Sequence, residues 1–509
     1  MKFLARFMSL LLCAALLLSL FACSAAPKED APPTAPVDHR QELDEDEPVT
    51  LKILSERTMW GNDAEIVRLE KKSYFNDFLR PIIDWYEKEH PNVKIEVENP
   101  SISKDNREQV IQQQRVALAA GDVPDIYLQP SISEPELYRG FEMVFKDPSQ
   151  AMTNGMFADI SGYYNADKDL HTEELQPAVM EAGVYKGKRY ILPLWYSMEV
   201  FAVRKDAEKA GEAVELMEGG VQKFFESQLD VPCWNSFFTT TEWLLNHFPQ
   251  ICDYEKEEAL LKQDELEAYF DGEIKWEERQ GAYYQSLGES EWVNNDDVMD
   301  YISGSSGPFS DAQMPSFTYQ LEHLLEPAVL AKHLGVEIDM VPVRAIDGSL
   351  TASVSYWGAV SAGSEYKAWA YDFLRTMLSP EVQHGGALQG SDGSVVDIGF
   401  DPMLTPGPGW PVRYKGFAQA RWQAVMERHG LTRELDDKRR SSLGQVEFDD
   451  SDFPILDVEI DQARIPCELD QMAYEQLGDL EHWSGATQAD IEKAVTTFLR
   501  DVRYQLAEG

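Results

Sequence analysis

From Val49 onward, short apolar runs alternate with longer stretches of helical spacing. Val49 to Leu54 is a brief β run. Tyr74 to Glu89 sets Phe75, Phe78, Leu79, Ile82 and Tyr86 at the intervals of one helical face, and stops at His90-Pro91. Val93, Ile95 and Val97 alternate with charged residues, as in a strand with one buried face. Asn106 to Ala120 predicts a second helix closed by Gly121, and Asp125 to Leu128 a third strand. A βαβαβ order implies right-handed crossovers and a doubly wound, mostly parallel sheet.

The stretch from Val184 to Gly211 changes the pattern. Tyr185-Lys186-Gly187-Lys188 predicts a tight turn, with Gly187 where a positive φ is needed. Arg189 to Leu192 is a short β run halted at Pro193, and Leu194 to Val203 is a second, aromatic and β-branched. Proline does not fit a central strand, so Pro193 is read as a crossover between two lobes. Further crossovers are read near Val341 and Pro411. Helices are predicted over Tyr254 to Phe270, Glu365 to Leu378 and Ala489 to Leu506, the second stopping at Ser379-Pro380.

The N-terminus reads as a targeting segment. Lys2 and Arg6 precede an apolar run from Met8 to Phe21, and Leu20-Phe21-Ala22-Cys23 resembles a bacterial lipobox, in which Cys23 is lipidated. Residues 1–22 are thus expected to be a lipoprotein signal peptide. Residues 23–48 hold five prolines and the acidic run Asp44-Glu45-Asp46-Glu47, and are read as a disordered tether. No other stretch reaches the roughly 18 apolar residues of a membrane helix.

Charge narrows the partners. The chain carries 45 Lys and Arg against 89 Asp and Glu, a net charge of −44. Nucleic acids and anionic membrane surfaces call for basic patches, so neither is expected to bind it. Beyond Cys23 the mature chain has Cys233, Cys252 and Cys467, and Cys233–Cys252 is one pairing open to an exported protein. No Cys-x-x-Cys or His-x-x-x-His occurs, so no zinc site and no cofactor is expected. Residues 303–308, SGSSGP, form neither a phosphate-binding loop nor a Gly-x-Ser-x-Gly elbow.

Four segments carry a family resemblance. Tyr86-Glu87-Lys88-Glu89-His90-Pro91-Asn92-Val93-Lys94 and Ala117-Leu118-Ala119-Ala120-Gly121-Asp122-Val123-Pro124-Asp125-Ile126 resemble the extracellular solute-binding proteins, family 1, of ABC importers. So do Ser379-Pro380-Glu381-Val382-Gln383 and Gly409-Trp410-Pro411-Val412-Arg413. Ala202-Val203-Arg204 departs from the family, which usually has Tyr-Asn there. Leu435 to Glu459 matches no family pattern and is read as an insertion.

The resemblance implies a two-lobed α/β fold of the periplasmic-binding-protein type II, maltose-binding-protein-like, with a ligand cleft between lobes. Its first lobe would comprise residues 49–192 and about 341–405, its second 193–340 and about 406–509. It implies a lipid-anchored, extracellular, monomeric protein that captures a carbohydrate by lobe closure and passes it to ABC permease transmembrane subunits. Two other readings stay open: an exported glycoside hydrolase, and a surface glycan-binding or sensor protein outside transport. With 89 acidic residues, facing carboxylates arise by chance and favour neither.

Open α/β sheets bind ligands beyond the carboxyl ends of their strands. That rule selects residues 55–62, including Trp60, and Gln129. Aromatic rings stack on sugar faces, so Trp195, Tyr196, Trp234, Trp357 and Trp410 join them as expected ligand contacts. Neighbouring strand residues face opposite ways, so at most one of Trp195 and Tyr196 should face the cleft, and likewise of Tyr356 and Trp357. No catalytic residue is expected.

Overall fold

The computed structural model describes residues 34–56, 74–98, 104–131, 143–206, 210–226, 233–234, 244–248, 251–254, 256–287, 316–320, 337–384, 387–397, 410–413, 458–482 and 486–508. They build a seven-stranded sheet, a four-stranded sheet, three two-stranded ribbons and two separate hydrophobic cores.

The first sheet has seven strands among these residues. Val49–Ser55 lies between Val93–Glu98 and Ile126–Pro130, parallel to both. The helices Tyr74–Glu89 and Lys104–Ala119 make the crossovers, and Gly121 follows the second at φ 89°. Beyond Ile126–Pro130 the sheet turns antiparallel. Thr351–Val360 pairs with it on one side and with Ile191–Ser197 on the other, and Trp410–Pro411 closes that edge. Gln462–Arg464 adds a short parallel strand to the start of Thr351–Val360. Parallel pairing is thus found among the three N-terminal strands and at this one short addition.

The second sheet has four strands: Ile338–Pro342, Glu199–Arg204, Ser316–Gln320 and Cys233–Trp234. Its core gathers Phe201, Leu244, Leu266, Phe270 and the C-terminal helices Glu468–His482 and Gln488–Glu508. The acidic helix expected from Tyr254 runs instead over Gln263–Leu287, and Tyr254 sits in a turn after a two-residue strand.

The Tyr185–Lys188 turn has the expected form. Lys186 and Gly187 both take positive φ, 50° and 71°, joining Val184–Tyr185 to Lys188–Arg189 as a two-residue hairpin. Two positive-φ residues match the right-handed twist of the flanking strands.

Pro193 behaves differently from expectation. The strand Ile191–Ser197 runs through it and ends at Met198, where the chain passes to the second sheet. Opposite Pro193 and Trp195, the partner strand shifts register between Val354 and Tyr356 and again between Tyr356 and Trp357. That irregularity accommodates a residue with no N–H to give the ladder. The passage between lobes thus falls at residue 198, not 193. Pro411 likewise stays within the first sheet, on an edge strand where proline is tolerated. The last passage runs from Ile465, in the first core, to Cys467, in the second, so the expected boundary near 406 lies too early.

Residues 34–48 are not the free tether that their composition suggests. Asp38 caps a short 3₁₀ turn, His39–Glu42, and the His39 side chain is fully buried. The segment has no core of its own, yet it borrows that of the first lobe. Cys23 and residues 24–33 lie outside the described residues.

Candidate functional site

Most of the expected ligand contacts that the structure describes lie inside the first lobe. Trp195, Tyr196, Trp357 and Gln129 are each at most 1% exposed. Every residue of Ile191–Ser197 and of Thr351–Val360 is buried, because this sheet is covered on both faces. Trp357 packs edge-on to Phe157 at 5.6 Å, and Trp195 to Tyr356 at 5.8 Å. In this conformation Trp195 and Trp357 are core residues, not solvent-facing platforms. Trp234 and Trp410 are placed by backbone pairing alone, opposite Phe317 and Tyr196. Trp60 lies outside the described residues.

The carboxyl ends of the parallel strands carry something the aromatic search missed. Ser55 Oγ, Glu56 Oε2, Gln129 Oε1, Ser131 Oγ and Trp357 Nε1 are all buried without a hydrogen-bond partner. Gln129 spends its amide N–H on the Leu54 carbonyl at 3.3 Å. Glu56 Oε1 accepts from the Val144 N–H at 2.9 Å and lies 3.3 Å from Arg107. Burial raises the Glu56 carboxyl above the ordinary range despite Arg107. Buried polar atoms without partners are scarce in native proteins, and several at one sheet edge mark a place built for more than packing. The edge rule for open sheets had reached residues 55–62 and Gln129. Ser131 needed the register, which sets it beside Ser355 through an N–H to carbonyl bond of 2.8 Å.

The lobes meet through a polar junction. Asn246, in the second lobe, accepts from Ser353 of the first at 2.8 Å and from Arg464 at 3.2 Å. Arg464 also grips Asp470 through two bonds of 2.6 and 2.5 Å. Glu199, at the start of the strand entering the second lobe, lies 2.7 Å from His247, whose other ring nitrogen is 2.8 Å from the Tyr269 hydroxyl. Lys146 pairs with Glu468 at 2.5 Å.

Beside this junction lies a cavity of about 830 Å³ with walls from both lobes. Ser149, Glu181 and Tyr185 line it from the first lobe, and Phe248, Tyr254 and Lys256 from the second. Rings and hydrogen-bonding groups therefore face one space. Neither Trp195 nor Trp357 lines it.

Cys252 and Cys467 line the same cavity as free thiols. Cys467 Sγ lies 3.7 Å from the Tyr254 hydroxyl, and burial pushes the Cys252 thiol up to about 11. Among the described residues no group of three His, Cys, Asp or Glu side chains could hold a metal ion. No helix among them is long and apolar enough to cross a membrane.

No curated protein matches the sequence. Among solved structures, the chain is similar to an extracellular solute-binding protein family 1 member from Alicyclobacillus acidocaldarius, with a TM-score of 0.47 and 12% identity, over 90% of this chain and 99% of that one. It is similar to the sugar-binding protein MalE of Xanthomonas citri, with a TM-score of 0.47 and 13% identity, over 90% and 98%. A periplasmic oligogalacturonide-binding protein from Yersinia enterocolitica gives a TM-score of 0.46 and 12% identity, over 90% and 99%. The family model described as bacterial extracellular solute-binding protein matches residues 82–391, more than half of the sequence. The chain, with its two α/β lobes and the space between them, belongs to the bacterial extracellular solute-binding protein family.

Proposed function

We propose that this protein is the solute-binding component of an ABC importer, and that its solute is a carbohydrate, specifically an oligosaccharide. The observation that carries this reading is the inter-lobe cavity of about 830 Å³, where tyrosine and phenylalanine rings share the walls with carboxylate, ammonium and hydroxyl groups. Sugars present apolar ring faces and many hydroxyls, and that mixture of surfaces suits both. The unpartnered polar edge at Ser55, Glu56, Gln129 and Ser131 supplies further hydrogen-bonding capacity from the first lobe.

The mechanism is lobe closure. The chain passes between the lobes at Met198, between Pro342 and Thr351, and between Ile465 and Cys467. Contacts with both lobes form only when they approach, so ligand shifts the population toward the closed state. The closed monomer then docks on the permease subunits. Acyl chains on Cys23 hold it at the outer face of the membrane, each buried methylene contributing ~0.8 kcal/mol.

A glycan-library thermal-shift screen on the chain lacking residues 1–33 tests this. A ligand at a hundred times its Kd should add about 2.7 kcal/mol of stability. Hits confined to peptides, polyamines or metal ions would overturn the carbohydrate class. Release of shorter sugars from the hits would replace binding with hydrolysis.

A further inference from the structure

The three strands that carry the chain between the lobes meet in one row. Ser197, the last residue of its strand, pairs with Ser353, and Ser353 pairs with Arg464, also the last of its strand. Each passage begins within three residues of this row, at Met198, Leu350 and Ile465. One turn of the second lobe sits against it. Leu244–His247 is a 3₁₀ turn whose two leucines, with Phe248, belong to the second core. The His247 carbonyl accepts from the Ile346 N–H on the middle passage at 3.0 Å, and the His247 ring lies 2.7 Å from Glu199 on the first. Asn246 Oδ1 accepts from Ser353 Oγ at 2.8 Å and from Arg464, beside the third passage, at 3.2 Å. Two neighbouring residues of one turn thus bind all three passages, and both are buried.

We propose that Asn246 is the bearing of the hinge, a positioning residue that holds the axis of lobe closure on the row Ser197, Ser353 and Arg464 in both the open and the closed protein. The proposal rests on the reading that the lobes close over a ligand. Thr351 and Arg464 line the inter-lobe cavity, so rotation about the row brings the cavity's two walls together. A rotation of about 15° carries a group about 10 Å from its axis through about 2.6 Å, which breaks a hydrogen bond, and leaves a group on the axis in place. The bonds of Asn246 therefore survive closure, whereas twisting or sliding one lobe against the other would break them. Asparagine suits the position. Its carbonyl oxygen has two lone pairs and takes a donor from each of two adjacent strands. It is neutral, and Arg464 already has its counter-charge in Asp470, at 2.6 and 2.5 Å. His247 fixes the turn to the second lobe, because its ring also lies 2.8 Å from the Tyr269 hydroxyl on helix Gln263–Leu287.

The test reads the spread of distances between the lobes in the full chain. Spin labels on a keto amino acid, which spares the native thiols, replace Val116 in the first lobe and Tyr504 in the second, both exposed. Pulsed dipolar spectroscopy then gives the distance distribution with or without ligand. In the ligand-free protein Asn246→Ala should widen it about twofold around an unchanged mean, because motion about more than one axis becomes possible. Asn246→Asp keeps an acceptor for both donors and should keep the native width. Ser353→Ala removes one donor, should widen the distribution less, and carries the test if Asn246→Ala does not fold. Asn246→Ala should also bind a glycan hit about tenfold more weakly, since the closed site is less well pre-organised. A native width in the alanine variants overturns the bearing alone. So does a narrow distribution moved to a new mean with tighter binding, which would make these bonds a lock on one state. A native mean that no glycan hit moves overturns lobe closure, and the bearing with it.

Discussion

His39 Nε2 lies 2.9 Å from Oδ1 of Asp372, a buried pair 333 residues apart in the chain. The second carboxylate oxygen accepts from the Tyr86 hydroxyl at 2.8 Å. One carboxylate thus joins the N-terminal segment, the first helix and helix Lys367–Thr376. His39→Ala removes a fully buried ring and one of those donors. It should cost about 2–3 kcal/mol of unfolding free energy, from lost burial and a carboxylate left short of a partner. Chemical denaturation reads this directly. An unchanged midpoint would mean that the segment contributes nothing to the lobe.

Asp372 also predicts a pH dependence. Burial works to raise its carboxyl, but the hydrogen bonds from His39 and Tyr86 outweigh it and hold it below the ordinary carboxylate range. A depressed folded value means stability that is full above the unfolded value of about 3.9 and is lost as pH falls through the folded one. Melting temperatures of the native chain and Asp372→Asn should therefore differ most near neutrality and converge in acid below about pH 4. A gap that widens on acidification would reverse the assignment.

Trp195 and Trp357 are each 1% exposed and packed among other rings. Replacing either by alanine should cost about 3–5 kcal/mol of stability, the range for a large buried ring. Calorimetry on the fraction that remains folded should find ligand affinity little changed. A variant that keeps its melting temperature and loses binding would return that tryptophan to the ligand site.

Gly183 and Gly121 separate two reasons for needing glycine. A Cβ at Gly183 would stand 2.1 Å from the Ile191 carbonyl oxygen, a backbone atom with nowhere to go. That carbonyl belongs to the strand whose N–H bonds the Gly183 carbonyl at 3.2 Å. Gly121 has open space around it and only a positive φ of 89°. Gly183→Ala should destabilise by about 3 kcal/mol, and Gly121→Ala by about 1 kcal/mol, the cost of strain alone. Paired thermal melts decide the order.

The local pieces of this protein were legible in its residues. Phe75 to Tyr86 at helical spacing, stopped by His90-Pro91, predicted a helix that the structure ends at Glu89. The alternation of Val93, Ile95 and Val97, the glycine after the second helix and the Lys186-Gly187 turn were equally plain. Each depends on periodicity or φ within a few residues, which side chains dictate on the spot. What the tertiary structure alone decided involves partners distant in sequence. Pro193 stays inside a strand because Val354 to Trp357, about 160 residues on, shift register to receive it. Residues 34–48 look too polar to fold, and are ordered because Asp372 and Gly162 wait for them. Trp195 and Trp357 looked available for stacking, but both faces of their sheet are covered by segments whose packing no local pattern announces. The unpartnered polar edge at Ser55, Glu56, Gln129 and Ser131 exists only once three strands align, since being buried without a partner is a property of the assembled neighbourhood and not of any residue in it.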